Sequence, residues 1–123
     1  LANLVGFTKR MKRRRHYARM YQKGLKKIDG LRLFRISEDR ESAYWLFGIH
    51  VERRNNFIRA MKARGVETSV VHQRIDRNAV FGGIRNDLPN QERFDQTKIH
   101  IPIHDAMDEE LVHYVITSVR KGW

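Results

Sequence analysis

The sequence contains no cysteine, only two prolines, and no apolar run close to the ~18 residues that would cross a bilayer. The missing cysteine excludes a disulfide framework and a thiolate metal site, and it is compatible with the cytoplasm, where we expect this protein to reside. No secretory leader is visible, because Leu1, Leu4 and Val5 are interleaved with Gly6, Thr8 and Lys9. A membrane partner is therefore not expected. Serines are few, and Ser37, Ser42, Ser69 and Ser118 lack the elbow sequence of a hydrolase nucleophile. No glycine-rich phosphate loop follows a strand, and Gly82-Gly83 reads as a turn. The chain begins at Leu1 rather than Met, which predicts a processed product or a piece of a longer chain.

Acidic residues are scarce at the amino end. Residues 1–30 hold ten basic residues, from Lys9 to Lys27, against Asp29 alone. The other residues carry 15 basic and 13 acidic groups, so nearly all of the +11 net charge belongs to that first segment. Any polyanion partner must be sought there. A basic helix over 9–27 suits nucleic acid, the alternative function considered, but no aromatic platform or recognised nucleic-acid motif follows it. A solvated face, or one meeting an acidic neighbour, is the plainer explanation, and nucleic acid is not the expected partner.

With 123 residues and 41% hydrophobic content, the chain is long enough for one packed core. Apolar steps of three and four predict a helix over 3–28, ended at Asp29-Gly30. The basic run Lys12–Arg15 interrupts its stripe, as in a connecting helix rather than a core element. A short strand is expected over Leu31–Phe34 and a loop over Ser37–Ser42. Tyr44–Val51 is apolar on both alternating sets, which predicts a central strand covered on both sides, one cover coming from another body. Arg53–Arg64 reads as a helix stopped by Gly65, and Val66–Val71 as a half-buried strand. Arg74–Thr97 has no strong periodicity and reads as a long loop. Ile99, Ile101 and Ile103 alternate in a strand that Pro102 pushes to an edge. A last helix starts at Asp108 as N-cap, with Met107 and Val112 spaced as a hydrophobic staple. The fold class is α+β: a long amino-terminal helix, then a small mixed or antiparallel sheet in the order β-α-β-loop-β-α, with helices on one face. The expected division is 1–40, the linking helix and short strand, and 41–123, the compact domain.

The six histidines invite a metal reading, but His100 and His104 would lie roughly 13 Å apart on one strand, too far to share a zinc. The best candidate site is His72-Gln73-Arg74-Ile75-Asp76, where a strand enters the long loop. Arg offers a planar fork for phosphate or carboxylate, and His exchanges a proton near neutral pH. An ordinary polar loop is the competing explanation.

Three segments, SAYWLFGIHV at 42–51, RGVETSVVHQR at 64–74 and KIHIPIH at 98–104, resemble in order and spacing the carboxyl-terminal third of the DegT/DnrJ/StrS family of pyridoxal-phosphate (PLP)-dependent sugar aminotransferases. Arg13-Arg14-Arg15, Tyr21, Phe81-Gly82-Gly83, Asp87-Leu88-Pro89 and Asp108-Glu109-Glu110-Leu111 extend the likeness. His72, Arg74 and Asp76 match a His-x-Arg-x-Asp pattern found in some relatives. The resemblance implies the small domain of a fold-type I aminotransferase. It also implies that His72 and Arg74 contact substrate or the cofactor's periphery while Asp76 orients Arg74. The family's Schiff-base lysine, cofactor-pairing Asp and ring-stacking aromatic have no counterpart here. The resemblance therefore implies PLP in a parent enzyme, none held by this chain alone, a missing large cofactor-binding domain as partner, and a homo-oligomer.

Overall fold

In the computed structural model, which describes residues 4–123, helix α1 spans Phe7–Gly24. It is shorter at both ends than the 3–28 expected, and residue 3 lies outside the described residues. Lys27 and Gly30 adopt left-handed φ values of 57° and 73°, which turn the chain out of the helix. The two halves of α1 differ. Tyr17, Ala18 and Tyr21, followed by Leu25, are buried in the main core, whereas Leu4, Val5 and Phe7 are exposed. The carboxyl-terminal half is thus a core element and not only a connector. It shares one hydrophobic cluster with the residues after 41.

Strands β1 (Leu31–Leu33), β2 (Phe47–Val51) and β3 (Lys98–Ile101) form an antiparallel sheet in that order. The α+β class holds. In β2, Phe47, Ile49 and Val51 point into the core with Leu31, Ile99 and Ile101. Strand β2 starts three residues later than expected, because Tyr44 has a left-handed φ of 48°. Its opposite face is covered from within: the Phe34 ring lies against both Gly48 and His50, and Phe94 meets the His50 ring edge-on at 5.1 Å. The external cover expected for this strand is therefore not needed at Gly48 and His50. Val66–Val71 forms one bridge, Ser69 with His100, rather than a strand.

Helix α2 (Arg54–Ala63) buries Phe57 and Met61. It ends in a Schellman motif: Gly65 N–H donates to the Lys62 carbonyl at 3.0 Å and Val66 N–H to that of Met61 at 2.9 Å, with Gly65 at φ 68°. The expected loop Arg74–Thr97 holds 3-10 turns at Ile75–Arg77 and Ala79–Phe81 and a helix α3, Pro89–Thr97. Pro89 opens α3, where its missing N–H costs nothing because a first-turn N–H has no acceptor within the helix. Helix α3 lies on the Gly48/His50 face of the sheet, opposite the main core.

Helix α4 (Glu109–Arg120) begins as expected. Asp108 accepts from Leu111 N–H at 2.8 Å, and Met107 and Val112 are both buried. It packs on α1 at Gly24, where an added Cβ would stand 2.7 Å from Ile116 Cδ1. Two tyrosines fasten α1 to the chain around β3: Tyr17 donates to the Met107 carbonyl at 2.6 Å and Tyr21 to the Pro102 carbonyl at 2.8 Å.

Candidate functional site

The candidate triad lies where the chain leaves its bridge with β3. His72 is exposed and left-handed, at φ 59°, a conformation His tolerates better than most residues. Its ring lies 5.8 Å from that of Trp45, itself 65% exposed. Its backbone carbonyl accepts from Lys98 Nζ. Trp45 is the site residue that the sequence pattern hid, because it falls within an apolar run that reads as core.

Arg74 and Asp76 are both buried. The guanidinium grips the carboxylate in fork geometry, Nε to Oδ1 at 2.7 Å and Nη2 to Oδ2 at 2.5 Å. Nη1 bonds Glu92 of α3, and Nη2 also donates to the Arg85 carbonyl at 3.0 Å. Arg85 N–H donates back to Asp76 Oδ2 at 3.0 Å. The Arg74 guanidinium, hydrogen-bonded first, and the Arg85 amide hold the Asp76 carboxyl down at about 2. Asp76 thus orients Arg74, and together they close the segment 74–92. The side chain of Arg74 is 1% exposed, so His72 and Trp45 are the outward-facing groups of this corner.

Beside this corner runs a groove of about 470 Å³ between β3 and residues 67–71, lined by Leu46, Thr68, Ser69, Val71, His100 and His104 among others. Burial, chiefly, with the neighbouring Lys98 and His72, keeps the His100 ring below its ordinary value, against an opposing effect of the Ser69 carbonyl. Among the described residues no group of three His, Cys, Asp or Glu is placed to hold a metal.

The residues do not fit PLP as a covalent cofactor. Seven of the eight lysines lie exposed on the surface. The eighth, Lys98, is buried, and its amine is taken by Asp95 at 3.3 Å and by the His72 carbonyl, beside the Phe94 ring. The basic face of α1 is partly spent within the chain: Arg14 pairs with Asp105 at 2.8 Å and Arg15 with Glu41 at 3.0 Å, and Arg13 donates to the Asp105 carbonyl. Among the described residues no helix is long and apolar enough to cross a membrane.

The fold is that of an aminotransferase small domain, and the comparisons with known proteins agree. The chain belongs to the DegT/DnrJ/EryC1/StrS aminotransferase family, whose pattern matches residues 1–120. Its structure is similar to that of the sugar aminotransferase CalS13 from Micromonospora echinospora, at 32% identity with a TM-score of 0.93 over 100% of this chain and 33% of that one. AtS13 from Actinomadura melliaura is similar at 28% identity, with the same TM-score and coverage. DesV from S. venezuelae, solved with a ketimine intermediate, shares the fold at 24% identity and a TM-score of 0.85, over 96% of this chain and 33% of its own. The chain spans about a third of the length of these structures. It matches none of the curated proteins.

Proposed function

We propose that this chain is the carboxyl-terminal small domain, with its linking helix, of a PLP-dependent aminotransferase acting on keto-sugar nucleotides, and that alone it is inactive. In the whole enzyme an amino acid, typically glutamate, would supply the amino group. The observation that carries this reading is the state of Lys98: the one buried lysine is already engaged, so the cofactor's lysine must come from elsewhere. The family membership and the partial coverage of sugar aminotransferases support it.

His72 and Trp45 are the groups we assign to the active-site mouth, contacting substrate or the cofactor's periphery. Arg74 and Asp76 take part by fixing the loop that presents them. The missing cofactor domain would cover the apolar crest of that loop, where Val80 is 84% exposed beside Phe81 and Ile84. Left uncovered, that crest favours homo-oligomers.

The test is spectroscopic. The purified chain mixed with PLP is expected to show no visible absorbance of a lysine–pyridoxal imine. A stoichiometric imine on this chain would refute the proposal. In the assembled enzyme, His72→Ala is expected to raise KM for the keto-sugar nucleotide while leaving cofactor loading intact.

A further inference from the structure

A second cleft opens on the same face of the sheet as the His72 corner, towards the β1 edge. It is a cavity of about 340 Å³ lined by Gly30, Arg32, His50, Glu52, Arg93 and Thr97, among others, and it continues into a smaller one beside Asn90 and Phe94. The geometry points to a phosphoryl-binding site in this cleft, with Arg32, Arg93 and His50 as its donors and with a proton taken up by His50 on binding.

The register of the sheet is the first argument. Arg32 stands opposite His50, and His50 opposite Lys98, so one cross-strand row carries Arg, His and Lys on the same face. Like charges directly opposite one another destabilise a sheet. Lys98 is neutralised by Asp95 on α3, and Asp95 also takes Arg77 at 3.0 Å. Arg32 has no such partner. Arg93 from α3 reaches the same cleft and also lacks one: among the described residues neither arginine forms an ion pair. Two planar forks with no carboxylate to hold, on the wall of a cleft, suit an oxyanion.

The histidine is the second argument. Thr97 Oγ1 donates to the Arg93 carbonyl at 2.8 Å, so the same oxygen must accept from His50 Nδ1 at 2.8 Å. That fixes the Nδ1–H tautomer and leaves Nε2 with a lone pair while the ring is neutral. Burial, with Arg32 second, keeps the ring below its ordinary value and hence neutral near pH 7. An anion seated between the arginines offsets Arg32 and favours the imidazolium, whose Nε2–H then donates to it. The charged groups facing His50 are Arg32 from β1, Lys98 from β3, Arg93 from α3 and Glu52 past the end of β2. Glu52 opposes the anion from the rim, where its carboxylate lies beside Gly30 and in no ion pair.

The test is a calorimetric titration of the chain with inorganic phosphate, a nucleoside diphosphate and sulfate. Saturable binding is expected, and Arg32→Ala or Arg93→Ala, both exposed positions, should each weaken it about tenfold, the loss of one charge-assisted hydrogen bond. Arg19→Ala, on α1, should leave it unchanged. Sulfate keeps a fixed charge, so its affinity should rise between about pH 8 and pH 6, and His50→Gln should remove that rise. Equal affinity for phosphate and the diphosphate assigns the cleft to a lone phosphoryl group, and tighter diphosphate binding assigns it to a nucleotide. Non-saturable binding, an equal loss in Arg19→Ala, or a flat sulfate profile overturns the site. The inference is independent of the proposed function, since the titration is run without PLP and needs no second domain.

Discussion

The Tyr21 hydroxyl donates to the carbonyl of Pro102 at 2.8 Å, so helix α1 is tied to the residue at which the edge strand β3 stops. Pro102 has no N–H to continue the ladder, and its free carbonyl is completed by a side chain 81 residues earlier. Burial raises the Tyr21 hydroxyl well above its ordinary value. The sign follows directly. The neutral phenol is favoured in the fold, so this contribution is whole below about pH 10 and is lost as pH rises towards the folded value. Tyr21→Phe is expected to cost about 1 kcal/mol in urea unfolding, the net worth of one hydrogen bond. In an alkaline absorbance titration of the wild type, one tyrosine should resist ionisation until the chain unfolds.

Asp76 predicts the opposite pH dependence. Its carboxyl is held at about 2 by Arg74 and the Arg85 amide, so its stabilisation is present above about pH 4 and is lost as pH falls towards 2. Asp76→Asn should flatten the acid limb of the stability curve measured by circular dichroism. Asp87→Asn, at an exposed pair with Arg85, should change it far less.

At Gly24, α1 packs tightly against Ile116 of α4. A methyl group there would stand 2.7 Å and 2.9 Å from Ile116 Cδ1 and Cγ2. Gly24→Ala is expected to destabilise by about 1–3 kcal/mol through overpacking, despite the better helix propensity of alanine. Gly24→Ala combined with Ile116→Val should recover part of that loss in thermal unfolding.

Asp108→Ala should cost about 0.5–2 kcal/mol, since the Leu111 N–H loses its acceptor at the start of α4. Asp108→Ser is expected to restore most of it. Chemical denaturation of the three proteins checks the order.

Much of this architecture was legible in the residues. The cap at Asp108, the staple of Met107 and Val112, the stop at Gly65 and the edge set by Pro102 are local devices, and each appears where its chemistry predicts. Helix α3 was not legible, because its sequence, PNQERFDQT, has no apolar stripe. Its buried residue is Asp95, held by Lys98 and Arg77, and an acid turned inward leaves no mark on a hydrophobic pattern. The alternation at Val66–Val71 promised a strand, yet the chain turns away at the left-handed His72 after one bridge. At the site, the pattern of His72, Arg74 and Asp76 was visible. The pairing of Trp45 with His72, and the enclosure of Arg74 by Asp76, Arg85 and Glu92, arise from long-range packing that spacing alone does not encode.

The enclosure of Arg74 makes the stretch from 74 to 92 a stiffened hoop, its ends drawn together through one guanidinium. A surface that lands on Val80 and Phe81 meets a crest already ordered, so little further freedom is lost on contact. Cutting the hoop at Arg74 would slacken the crest and slow or weaken docking without removing a single atom from the surface that docks.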